Sequence, residues 1–350
     1  MLETDHQHFM EALRPKVELF APFEGASSNH PLCGWSVINK KRGEKMKKEL
    51  LKGVSIDPKI IDTKLGKVEV DISDKDAPVI LGCHGGIGGV DQSRLIIQFA
   101  EKDYRLLSVS RPGYLGTPIE SGRTPEEQAD LFAAMLDALR IDKVAVISAS
   151  FGGPFGYVFA YRHPDRIWAL VPCDSVSGHY DMPETAGPIT QVIFLSDIGQ
   201  SLLQSLTKLK PDAFVKKFFQ TEAYFTKEQL KKHTDFVQND VYIKEWVMAF
   251  MNTMYPYQAR KIGTENDMDI VVRLKDHYPV EKITCPTLIV HGTHDSDAKF
   301  YDGVYAYEHI PGAERIWIEE GSHICFWVNE KSRNAQKQVL DFLKKHQPTP

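Results

Sequence analysis

Three residue types that together turn a hydroxyl into a nucleophile occur in an informative order along the chain: Ser150, Asp295 and His323. A serine attacks a carbonyl only when an adjacent imidazole takes its proton, and that imidazole needs a carboxylate to fix its tautomer and stabilise its charged form. Ser150 sits in Ser148-Ala149-Ser150-Phe151-Gly152, which departs from G-x-S-x-G only in having Ser first. That position must be small, because a sharp strand-to-helix turn brings backbone close to backbone. An ordinary strand–turn–helix connection whose serine merely caps the helix has the same five residues. The order serine, acid, histidine is what separates the two readings, and here Gly292-Thr293-His294-Asp295 precedes Glu320-Gly321-Ser322-His323. Asp297 and Asp174 are alternative acids.

Acyl transfer also needs donors for the oxyanion that forms at the attacked carbonyl. The run His84-Gly85-Gly86-Ile87-Gly88-Gly89 can aim backbone N–H groups at a substrate. The amide of Gly86, with that of Phe151, would form such a hole. A phosphate-binding reading of these glycines fails: there is no G-x-x-x-x-G-K-[S/T], and no proper G-x-G-x-x-G with its acidic partner. The expected mechanism needs no metal and no organic cofactor.

These residues need elements to hold them. From residue 53 short β-rich runs alternate with helical segments, the pattern of a mostly parallel sheet covered by helices. The predicted strands are 59–64, 67–73, 78–83, 105–110, 144–149, 168–173, 286–291 and 314–319. Several are continuous apolar runs, as expected of strands buried on both faces. Ser150, Asp295 and His323 each follow one of them, so in a parallel sheet all three emerge on the edge where ligands bind. Thr124, Pro125 and Glu127 form a capping box that predicts a helix beginning at 125. Further helices are expected at 91–102, 152–163, 298–309 and 329–345.

Two stretches break the rhythm. Residues 1–52 contain the basic cluster Lys40, Lys41, Arg42, Lys45, Lys47 and Lys48 and read as an N-terminal extension with a solvated charged face. Residues 175–278 are helical in character and read as a cap, or lid, inserted after the sixth strand. The core is then 53–174 and 279–350. Phe194, Phe214, Phe218, Phe219, Tyr224, Phe225, Phe236, Trp246, Met248, Phe250, Met251, Met254 and Tyr255 lie in this cap, most of them expected to be helix-packing residues.

Composition narrows the partner. A net charge of −5 offers no overall reason to expect nucleic acid, which favours a small-molecule acyl substrate. Cys33, Cys83, Cys173, Cys285 and Cys325 lack metal-binding spacing and read as reduced, small buried hydrophobes. No apolar run approaches the roughly 18 residues of a membrane span, and the polar first residues are unlike a secretory signal, so a cytoplasmic location is expected. Oligomeric state is left open.

Over residues 60–345 the ordered motifs resemble the α/β-hydrolase family. Ser110-Arg111-Pro112-Gly113-Tyr114-Leu115-Gly116-Thr117 is similar to its R-G-x-G-x-S loop, and Arg162-His163-Pro164-Asp165-Arg166 to its helix end before strand six, both shaping turns. Members with an HGG loop are similar to proline iminopeptidases, carbon–carbon bond hydrolases and small-ester or lactone hydrolases. The resemblance implies a serine hydrolase of carboxylic esters or related acyl compounds. A non-enzymatic receptor on the same fold and an acyltransferase are the rivals, because fold does not imply function.

Overall fold

A computed structural model describes residues 56–181, 193, 195–209 and 211–348. Segment 1–52 with its basic cluster, Cys33 and Phe194 lie outside the described residues. Eight strands form one sheet: β1 (Lys59–Thr63), β2 (Gly66–Ile72), β3 (Val79–Cys83), β4 (Arg105–Val109), β5 (Val144–Ser150), β6 (Ile167–Ser175), β7 (Leu288–Gly292) and β8 (Glu314–Ile318). Their spatial order is β1-β2-β4-β3-β5-β6-β7-β8. β2 runs antiparallel to both its neighbours, and every other pairing is parallel. All eight predicted strands are present.

Alternation along the central strands divides the core into two layers. Ile80, Ala145, Ile147 and Val171 pack with the apolar faces of α1 (Val90–Ile97) and α10 (Ser332–His346). Their neighbours Val79, Leu81, Val144, Val146 and Leu170 point the other way, onto α2 (Pro125–Leu139), α3 (Gly152–Arg162) and α9 (Phe300–His309). A period of two with both faces covered is what makes these runs continuously apolar. α2 starts where the sequence predicts: the Thr124 side chain accepts from the Glu127 amide, and the Glu127 side chain returns to the Thr124 amide.

The predicted boundaries shift by a few residues. The helix expected at 91–102 ends at Ile97 and continues as a 3₁₀ turn, Gln98–Ala100. β6 reaches Ser175, so Asp174 lies within a strand and not just past it. Between β6 and β7 come α4 (Asp197–Leu209), α5 (Pro211–Glu222), α6 (Lys227–Asn239), α7 (Val241–Asn252) and α8 (Lys261–Arg273). Their aromatic and methionine residues are mainly packing: Phe214, Phe218, Phe219, Trp246 and Met251 join the same buried layer as α1 and α10. Trp246 stacks on Trp327 with ring centroids 5.7 Å apart.

Candidate active site

The strand-to-helix turn after β5 is strained at one residue. Ser150 has φ +52°, a left-handed conformation that a non-glycine residue adopts at a cost. The turn leaves no room around it. A Cβ on Gly152 would lie 2.7 Å from the carbonyl oxygens of Cys83 and His84. Ser148, the irregular first position, is accommodated by the helix it faces: a Cβ on Gly156 would stand 2.9 Å from Ser148 Oγ. The small residue demanded by the turn has thus moved, in effect, to the partner element. Ser148 Oγ is buried with no hydrogen-bond partner among the described residues.

Because β5, β6, β7 and β8 are adjacent and parallel, Ser150, Asp295 and His323 emerge at the same edge of the sheet. Other non-glycine residues with left-handed φ occur at this edge: Ile87 (+56°), Asp174 (+43°), Glu320 (+53°) and Ile324 (+60°). Such outliers cluster where a structure holds functional groups in place.

His323 is buried, and its Nδ1 lies 2.9 Å from Asp295 Oδ2. Its Nε2 faces Asp297 Oδ2 at 3.4 Å, and no hydrogen bond joins it to Ser150 Oγ. The three acids suggested by the sequence therefore separate by position. Asp295 holds Nδ1, Asp297 faces Nε2, and Asp174 is spent elsewhere, its Oδ1 accepting from the Gly292 amide at 2.9 Å and from the Cys325 thiol. Cys83, Cys173, Cys285 and Cys325 are all free and buried.

Two residues at the site carried no signal in the sequence. Glu222, the last residue of α5, is tied in through backbone, its carbonyl accepting from the His323 amide at 2.9 Å. The next two residues continue the tether: Ala223 bridges Asp295, and the Tyr224 amide donates to His294 O at 2.9 Å. Tyr180 donates its hydroxyl to Asp297 Oδ1 and packs edge-on against Phe151, with ring centroids 4.8 Å apart. Neither lies in a strand-end motif, so only long-range contacts reveal them.

The electrostatics follow from this crowding. Burial disfavours the His323 imidazolium, but Asp295, Asp297 and Glu222 outweigh it and hold its pKa well above the ordinary value. Burial and the Asp297 carboxylate push Glu222 up to about 8, against the pull of His323. Asp297 and Glu222 form no ion pair with a lysine or arginine among the described residues.

The glycine-rich loop is braced from below. The Gly85 amide donates to Gln92 Oε1 at 3.0 Å, while Arg111 donates to the carbonyls of His84 and Gly85, both at 3.2 Å. Arg111 also pairs with Asp267 of α8, Nη1 to Oδ1 at 2.8 Å, and Tyr114 donates to the same carboxylate at 2.6 Å. The Arg111 loop thus does more than shape a turn. The amides of Gly86 and Phe151 donate to no other backbone group among the described residues outside the regular elements.

Comparison with known proteins agrees with this architecture. A structure of an α/β-hydrolase fold protein from Nakamurella multipartita is 32% identical with a TM-score of 0.77, over 82% of this chain and 99% of that one. An uncharacterized hydrolase, YcgS, of Bacillus subtilis is 25% identical over 282 residues, 80% of this chain and 95% of its own. A 2-hydroxy-6-oxononadienedioate/2-hydroxy-6-oxononatrienedioate hydrolase of Burkholderia vietnamiensis is 24% identical over 269 residues, 75% of this chain and 84% of its own. The family model described as the alpha/beta hydrolase fold matches residues 78–330, the span from β3 to the loop beyond His323, and the chain belongs to that family of hydrolases.

Proposed function

We propose that the chain is a serine hydrolase that cleaves a carboxylic ester or related acyl compound through an acyl-enzyme. His323 deprotonates Ser150, which attacks the carbonyl while the Gly86 and Phe151 amides donate to the oxyanion. His323 then gives the proton to the leaving group, and water, activated by the same imidazole, releases the acyl group. Asp295 orients the imidazole. The observation that carries this reading is the pairing of a strained serine elbow, φ +52°, with a buried His323–Asp295 hydrogen bond at the same sheet edge. To work, Nε2 has to leave Asp297 for Ser150 Oγ, a tightening that commonly accompanies substrate binding.

The helices between β6 and β7 serve, in this reading, as the cap, with the α5 end at Glu222 beside the reacting groups. The acid-lined surroundings of His323 favour neutral acyl substrates over dianionic ones. A second reading, hydrolysis of a carbon–carbon bond beside a carbonyl, is supported by the activity in the name of the Burkholderia relative.

Labelling with a fluorophosphonate probe tests the nucleophile. The parent chain should be labelled at Ser150 and hydrolyse a nitrophenyl ester, and Ser150→Ala should do neither while keeping its fold by circular dichroism. An unlabelled, inactive parent would favour a ligand-binding protein without catalysis. Turnover of a diketone in preference to the ester would favour carbon–carbon cleavage.

A further inference from the structure

The geometry points to a zinc-class divalent cation site formed by His323 Nε2, Asp297 and Glu222, whose occupancy switches the proposed hydrolase off. One donor atom from each of the three residues lies within 4.8 Å of the others. A tetrahedral site with bonds of about 2.1 Å has edges of about 3.4 Å. The Nε2 to Asp297 Oδ2 separation is 3.4 Å. An imidazole nitrogen with two carboxylates suits zinc better than calcium or magnesium, which prefer all-oxygen sets.

The outer contacts match those of ligands in such sites. Nδ1 of His323 is held by the Asp295 carboxylate, which presents Nε2 as the free lone pair, and the second oxygen of Asp297 accepts from Tyr180. Two carboxylates at this spot have no lysine or arginine ion pair among the described residues.

A deeper cluster, Asp174, His291 and Asp295, is a weaker candidate. Its donors are already used: Asp174 Oδ1 on the Gly292 amide, His291 Nε2 on Ala298 O at 2.8 Å, and Asp295 Oδ2 on His323. The upper cluster differs in that Nε2 makes no hydrogen bond and Asp297 and Glu222 are only partly buried.

A bound cation consumes the lone pair that His323 needs to deprotonate Ser150. No bond is made or broken in the protein. The ion displaces whatever proton the cluster holds, so its affinity falls as pH falls. The blockade rests on the serine-hydrolase reading above, whereas the binding does not.

The test uses the full chain, stripped of metal and titrated with zinc chloride against a chromophoric chelator in the absence of substrate. One equivalent should bind, and Glu222→Gln and Asp297→Asn should each weaken it by more than the roughly 10- to 100-fold that loss of an outer partner alone causes. Both side chains are part-exposed; circular dichroism checks each variant, and either folded variant suffices to decide. Zinc should suppress fluorophosphonate labelling of Ser150 in the parent over the same concentration range, and a chelator should restore it. Absence of competition, or binding that survives both substitutions, overturns the site. Tight binding with undiminished labelling overturns the switch but leaves the nucleophile intact, and a parent that binds zinc but never labels overturns the serine reading alone.

Discussion

Asp295 and Asp297 occupy opposite nitrogens of one imidazole, with Asp295 Oδ2 2.9 Å from Nδ1 of His323 and Asp297 Oδ2 3.4 Å from Nε2. One residue of chain, Ser296, separates them, and that offset puts the two carboxylates on different sides of the ring. An acid on Nδ1 fixes the tautomer that a base requires, whereas an acid on Nε2 competes with the nucleophile for that base.

Asp295→Asn should lower kcat by about 10⁴, because the amide can present the wrong partner to Nδ1 and select the unproductive tautomer. Asp174→Asn should instead act on the fold, by replacing a charged acceptor of the Gly292 amide with a weaker neutral one. Steady-state rates with the same nitrophenyl ester separate the two. Equal loss of kcat in a fully folded Asp174→Asn chain would move the acid role away from Asp295.

The pH profile should respond to Asp297. His323 must be neutral to act as base, and nearby carboxylates raise its pKa, so activity should appear only on the alkaline side of its ordinary range. Asp297→Asn removes one carboxylate that favours the imidazolium. The pKa should fall and the acid limb of kcat/KM should move to lower pH. A limb that stays put, or moves up, would show that Asp297 does not face the working imidazole.

Ser148 and Gly156 form a size-complementary pair across β5 and α3. Gly156→Ala should destabilise the chain, since its new Cβ would stand 2.9 Å from Ser148 Oγ. Overpacking of this kind costs about 1–3 kcal/mol. Adding Ser148→Gly should relieve much of that loss, which a double-mutant cycle by urea unfolding measures. Additive effects would mean that the two residues do not press on one another.

Arg111 and Asp267 are both buried, with side-chain exposures of 2% and 5%. Truncating one partner leaves the other as an uncompensated buried charge, and Asp267→Ala should cost about 3–5 kcal/mol. Arg111 also holds the carbonyls of His84 and Gly85, so the glycine-rich loop should loosen with it. Chemical denaturation gives the stability, and hydrogen exchange at the His84–Gly89 amides reads the loop. Unchanged exchange in a destabilised variant would confine the pair to a structural role.

Much of this molecule was legible along the chain because the signals are local. A buried parallel strand is a run of apolar residues wherever it occurs, and a capping box needs only Thr124 and Glu127, so strands and helix starts could be read within a residue or a few. Sheet chirality and parallel strand direction then dictate which ends share an edge, which is why the sequence alone groups Ser150, Asp295 and His323.

What needed the tertiary structure is what depends on side chains far apart in sequence. No spacing announces that the carbonyl of Glu222, 101 residues before His323 in the numbering, accepts from that residue's backbone amide, or that the Tyr180 hydroxyl donates to Asp297. The choice among Asp174, Asp295 and Asp297 is likewise geometric, since each is an acid at the C-terminal end of a strand or in the loop after it, and only packing aims one of them at Nδ1. Sequence by itself determined the elements, their order and which residue types gather at one sheet edge. Packing alone decided which atoms face each other there, because the direction of a side chain is set by its neighbours in space and not by those in the chain.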